Sequence, residues 1–144
     1  MTSARSAQLR TIARIVLGGA LTFAGVAHLT SSRVDFQAQV PDWVGVDKDV
    51  VVIVSGVVEI ALGLALIFVR RRRALLGLAA GLFFIAVFPG NISQFIDGHD
   101  AFGLDSNSAR RNRLFFQPVL VAWAWWSTSA FSALPFGRTK TDAE

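Results

Sequence analysis

Glu59 is the only charged residue between Val50 and Val69, and it stands about ten residues into that apolar run. His28 closes a second run that holds no Asp, Glu, Lys or Arg from Ile15 to Ser32. Asn91 falls late in a third, uncharged from Ala74 to Ile96, while Arg113 and Gln117 open a fourth, uncharged from Leu114 to Gly137. A carboxyl group and an imidazole are a proton donor and acceptor pair, and amide and guanidinium groups orient a polar ligand. A charged carboxylate near a bilayer midplane costs several kcal/mol. Glu59 must therefore be protonated, pair with a cation, or face a hydrated or ligand-filled cavity, and each outcome turns it inward. Each residue also has a plainer role: Glu59 as interhelical hydrogen-bond glue, His28 as a capping group, Arg113 as an interface cation. Their convergence decides the expectation. Glu59 and His28 are the candidate catalytic pair, with Asn91, Arg113, Gln117 and Trp43 as candidate ligand-binding residues, around a polar pocket that opens outward with Glu59 at its floor.

The elements that must hold these residues are helices. A helix needs about 20 predominantly apolar residues to cross the hydrocarbon core. The chain predicts four such spans, at about Ile12–Leu29, Val50–Val69, Ala74–Ile96 and Leu114–Leu134, in one domain covering residues 1–144. Soluble helices would carry polar residues on an outer face, and these do not. Gly18, Thr22 and Gly25 share a face with His28, and Ser55, Gly56 and Gly63 lie on or near the face of Glu59, stripes suited to close helix packing. Pro89 and Gly90 loosen the third helix just before Asn91, freeing backbone groups that need partners. Pro118 reads as a first-turn proline, tolerable there. Residues 30–49, 70–73 and 97–113 read as connections. Gly25-Val26-Ala27 resembles a signal-peptidase site, but the preceding apolar run is longer than a usual signal core and favours a retained helix.

Lys and Arg counts set the orientation. Arg5, Arg10, Arg14, Arg70–Arg73, Arg138 and Lys140 give nine on one side, against five for Arg33, Lys48, Arg110, Arg111 and Arg113. The expected fold is thus an all-α integral membrane four-helix bundle with both termini cytoplasmic. Its cytoplasmic half reads as apolar with basic edges. Trp43 lies beside the outer interface, while Trp123, Trp125 and Trp126 serve as a belt and packing surface or as a stacking wall for a flat ligand.

Several chemistries fall away. No cysteine is present, which removes disulfides, thiol redox chemistry and iron–sulfur ligation. Any redox role must then run through a bound organic cofactor or a partner subunit. No phosphate loop or dinucleotide fingerprint occurs. No metal is expected: Asp97, His99 and Asp100 read as a solvated loop. The pI near 11.0 reflects orientation and anionic lipid contact, not nucleic acid.

A set of short motifs in order resembles the DoxX family of small four-helix bacterial membrane proteins. They are Phe23-Ala24-Gly25-Val26-Ala27-His28, Val40-Pro41, Ser55-Gly56-Val57-Val58-Glu59-Ile60-Ala61-Leu62-Gly63 and Arg71-Arg72-Arg73. Phe88-Pro89-Gly90-Asn91-Ile92, Arg113-Leu114 with Gln117, and Trp123-Ala124-Trp125-Trp126 follow. The resemblance implies a multi-pass protein of the bacterial inner (plasma) membrane. It also implies a membrane subunit of a redox enzyme, with a quinone or similar lipophile as the cofactor. Two other readings stay open: a non-enzymatic assembly or scaffold protein for a partner enzyme, and a small proton-coupled carrier. The carrier would have to be a homo-oligomer, packed through stripes such as Gly77 and Gly81.

Overall fold

The computed structural model describes residues 2–98 and 106–134, and helices are the regular elements among them. Four long helices, α1 (Thr2–Leu29), α3 (Lys48–Phe68), α4 (Arg73–Asp97) and α5 (Asn107–Thr128), pack in the ring order α1, α3, α4, α5. A short α2 (Arg33–Gln37) and a 3₁₀ turn (Asp42–Val44) lie between α1 and α3, and a second 3₁₀ turn (Ala130–Ala133) follows α5. The α1, α3 and α4 helices are long and apolar enough to cross a membrane.

Local chemistry places the ends. Asp47 caps α3, its carboxylate accepting from the N–H groups of Asp49 and Val50. The Ser106 hydroxyl accepts from Ala109 N–H at the start of α5. Gly98 ends α4 in the left-handed region, at φ 67°. Ser129 ends α5 in the same region at φ 56°, its N–H returning to the carbonyls of Trp125 and Trp126.

The fourth helix departs from the expected span. It begins at Asn107, inside the segment read as a connection, and stops at Thr128. Its stretch from residue 114 to 128 covers about 22 Å at 1.5 Å per residue, against a hydrocarbon core of about 30 Å. Because the helix starts early, Pro118 sits in its interior, where it can offer no N–H to the Leu114 carbonyl. The segment 30–49 is likewise no simple loop, since α2 and the 3₁₀ turn fold over one end of the molecule.

Two pairs of helices make the molecule. In the α1–α3 pair, glycines face glycines. A Cβ on Gly25 would stand 2.6 Å from the Gly56 carbonyl oxygen, and one on Gly63 would stand 2.6 Å from that of Gly18. The two backbones come into direct contact at these glycines, with Thr22 and Ile60 packed beside them. In the α4–α5 pair, a Cβ on Gly77 would overlap Thr128, and one on Gly81 would overlap the Trp125 ring. The Gly77 and Gly81 stripe, expected to suit oligomer contacts, is thus occupied by α5 of the same chain. Leu17, Leu21, Leu66, Ala80, Phe84 and Ala124 close the core between the pairs.

Gly25→Leu is expected to destabilise the fold by roughly 1–3 kcal/mol, the usual cost of overpacking. Gly19→Leu, where nothing lies within 4 Å of the added Cβ, should be near neutral. Thermal denaturation of the two purified proteins in detergent checks the contrast.

Candidate functional site

A cavity of about 660 Å³ lies toward the α2 end of the molecule. All six residues singled out above, His28, Trp43, Glu59, Asn91, Arg113 and Gln117, line it. Its remaining walls are largely apolar, from residues such as Leu21, Val52, Phe83, Phe84 and Leu120. Cavities of this volume suit small organic ligands, which are held by apolar walls and a few placed polar groups.

The His28–Glu59 pair follows from the glycine seam. Side chains on a helix lean toward its N-terminus. Since α1 and α3 run antiparallel, His28 on α1 and Glu59 on α3 lean toward each other. His28 Nδ1 lies 2.8 Å from Glu59 Oε2 and 2.9 Å from the Ala24 carbonyl oxygen. That carbonyl only accepts, so the Nδ1 proton is directed to it, and Glu59 Oε2 is left buried without a directed hydrogen bond. One ring proton thus faces two acceptors. This geometry suits proton exchange between imidazole and carboxyl group.

Two residues that sequence reasoning missed come from the cover. Phe36 on α2 stacks on the His28 ring with centroids 3.3 Å apart and planes 16° from parallel. Gln39 accepts a hydrogen bond from Arg113 Nη2 at 3.2 Å, and its own Nε2 is buried without a partner. The cover is fastened to the start of α3. Arg33 donates twice to the Asp49 carboxylate, Gln37 donates to it at 2.8 Å, and Lys48 pairs with Asp42 at 2.6 Å. The Asp49 carboxylate holds the Arg33 guanidinium above its usual range, through their hydrogen bond first and its charge second. No sequence signal marks Gln39; Phe36 sits at i+3 from Arg33 in a segment whose polar composition hid a helical turn.

On the opposite wall, Asn91 Nδ2 donates to Gln117 Oε1 at 3.0 Å, and Gln117 Nε2 donates to the Phe84 carbonyl at 2.6 Å. This carbonyl lies one residue before that of Ile85, the acceptor to which Pro89 can offer no N–H. Gly90 lets the cover press against α4: a Cβ there would stand 2.7 Å from the Gln39 carbonyl oxygen. Trp43 stays three-quarters exposed at the rim. No group of three or more potential metal ligands occurs among the described residues, and His99 and Asp100 lie outside them.

The opposite end corrects the expectation of an apolar half with basic edges. Arg14 is only 3% exposed and donates to the Leu66 carbonyl in the last turn of α3. Trp123 Nε1 donates to the Ala13 carbonyl at 3.0 Å, and Arg10 lies 5.8 Å from the Trp126 ring centre.

Among the described residues, fold and site define a helical protein with three helices long and apolar enough to cross a membrane and a covered cavity that carries an imidazole–carboxyl pair. The family model described as Domain of unknown function (DUF8561) matches residues 17–128, and the chain belongs to that family. The matched region includes every one of the six cavity residues singled out from sequence. No curated protein and no solved structure matches the chain.

Asn91→Leu is expected to cost about 1–3 kcal/mol, because it strands the buried Gln117 Oε1. The double variant Asn91→Leu with Gln117→Leu should cost less than the sum of the singles. A double-mutant cycle by denaturation in detergent measures the difference.

Proposed function

We propose that the chain is a DoxX-like integral membrane protein that binds a quinone or similar lipophile in this cavity and serves a redox partner. In this reading α5 completes a four-helix membrane bundle. Both termini and Arg70–Arg73 face the cytoplasm of a bacterial cell, and the cavity opens to the outer leaflet. The count of Lys and Arg supports the orientation. Arg110, Arg111 and Arg113 then lie at the outer interface, leaving the shorter apolar part of α5 to meet a locally thinned bilayer.

The observation that carries the proposal is the composition of the cavity. It is large and mainly apolar, with the His28–Glu59 pair on one wall and Asn91 and Gln117 on the other. Two of its lining side chains, Glu59 and Gln39, bear buried polar atoms with no hydrogen-bond partner. The unpartnered Gln39 amide and a Glu59 carboxyl whose close polar contact is His28 fit a ligand carbonyl or hydroxyl that completes the network. Phe36, Phe83, Phe84 and Trp43 offer flat apolar surface for a ring, and Arg113 and Gln39 offer N–H donors for its oxygens.

A bound quinone would take up two electrons, supplied by the partner's redox centre, and two protons to become the quinol. The chain's own residues have narrower tasks. His28 and Glu59 would stand within reach to pass a proton to a ligand oxygen, and Ala24 and Phe36 fix the imidazole plane. Asn91 is spent on Gln117 and so positions it. The apolar walls exclude water from the ring.

Mass spectrometry of the protein purified with native lipids should find a co-purifying quinone. Added short-chain benzoquinone should quench Trp43 fluorescence saturably. His28→Ala and Glu59→Gln should each weaken that binding about tenfold with helical content unchanged. Absence of any quinone together with unsaturable quenching would overturn the proposal. Loss of stability in step with loss of partner binding would favour the assembly reading instead.

A further inference from the structure

A second, smaller cavity of about 110 Å³ lies at the other end of the molecule, between the N-terminal turns of α1, the start of α4 and the end of α5. It is independent of the cavity that carries the proposed quinone site. Arg10, Arg14 and Arg73 line it together with Thr11, Ser127 and Ser129, and no carboxylate among the described residues does. Among the described residues, none of the three arginines has an ion-pair partner. Arg14 is buried, Arg10 half-buried and Arg73 exposed at the mouth; for the first two the lack of a counter-charge is costly, and a like charge beside them raises the cost.

Two of the arginines are also held in place. Arg14 is anchored on the Leu66 carbonyl, and Arg10 donates to Ser129 Oγ at 2.9 Å while lying over the Trp126 ring. Arg10 Nε is buried and has no hydrogen-bond partner. Because Ser129 Oγ accepts from Arg10, its own proton remains for another acceptor. The hydroxyls of Thr11 and Ser127 donate to helix carbonyls, so the guanidinium forks and the Ser129 hydroxyl supply the donors of a tetrahedral oxyanion site. We propose that Arg10, Arg14 and Arg73 form a phosphate site that takes the phosphate of an anionic lipid headgroup or a free phosphate ion. Its place at the arginine-rich end of helices able to cross a membrane puts it within reach of both.

Arg14 also caps α3, so the test spares it and uses Arg10→Gln with Arg73→Gln, and Arg73→Gln alone. Native mass spectrometry of the full chain, released from nanodiscs of mixed phosphatidylglycerol and phosphatidylcholine, should show preferential retention of one phosphatidylglycerol. Retention should fall about tenfold in the double variant and by less in the single one. In detergent, sodium phosphate should raise the melting temperature above that in sodium chloride at equal ionic strength, and the double variant should lose the difference. Lipid retention assigns the site to a headgroup; a phosphate-specific shift without lipid retention assigns it to the free ion. The proposal falls if wild type retains neither lipid preferentially and shows no phosphate shift. It also falls if the double or single variant, folded by its melting curve in chloride, behaves as wild type does.

Discussion

The contact on which the remaining structure depends is the backbone seam between α1 and α3. Gly18 and Gly25 meet Gly63 and Gly56 so closely that a single Cβ would collide with a carbonyl oxygen. Close approach gives many weak dispersion contacts and brings Cα–H groups against carbonyls, the kind of packing that needs no hydrophobic drive. It also sets register. With Gly25 against Gly56, the next inward-facing positions are His28 and Glu59, and antiparallel helices tip these side chains toward one another. The imidazole–carboxyl pair is therefore a consequence of how the helices pack. A sliding of α1 along α3 would separate the two groups before it disturbed either helix.

The same logic runs through the α4–α5 pair, with side chains of α5 filling the spaces left by Gly77 and Gly81. Between the two pairs, leucines, alanines and Phe84 close the middle, and the cavity remains above them. A cavity in this place would cost stability if it were lined by stranded polar groups. The fold limits the cost by having polar groups answer one another across elements. Pro89 disturbs a turn of α4, Gln117 takes the Phe84 carbonyl, Asn91 takes Gln117, and Arg113 takes Gln39. Of the buried atoms left without a hydrogen-bond partner, those that line this cavity belong to Glu59 and Gln39.

The sequence disclosed the long apolar helices and their inward polar residues because both follow from local rules: run length, and glycines at helical spacing beside an ionisable group. It did not disclose the cover. Phe36 and Gln39 lie in a segment of ordinary polar composition, and their importance comes from long-range contact with His28 and Arg113. The early start of α5 was hidden for a different reason. Arg110, Arg111 and Arg113 break the apolar run, yet charge does not break a helix, and Ser106 supplies the cap. Reading the span boundary as the helix boundary moved Pro118 from the interior to the first turn. Gly77 and Gly81 signalled close packing correctly in kind, but nothing in their spacing distinguishes a helix of the same chain from that of a second copy.

Arg14 carries the clearest lesson about ends. It precedes Gly18 by four residues and so stands on the stripe that continues through Gly25 to His28. A residue on that stripe must face α3, whatever its charge. Treating it as an orientation signal captured the count of cations and missed where this one points. Once turned inward, its guanidinium meets the orphan carbonyls at the end of α3, a favourable site for a cation near a helix C-terminus. The two ends of one stripe thus hold opposite problems. At His28 a carboxylate is brought in with a partner beside it; at Arg14 cations are brought in with carbonyl and hydroxyl groups but no carboxylate. An interior that sets an imidazole against a carboxyl group at one end and, among the described residues, gathers arginines without a carboxylate at the other has a direction built into it, and that direction comes from a single helical face of α1.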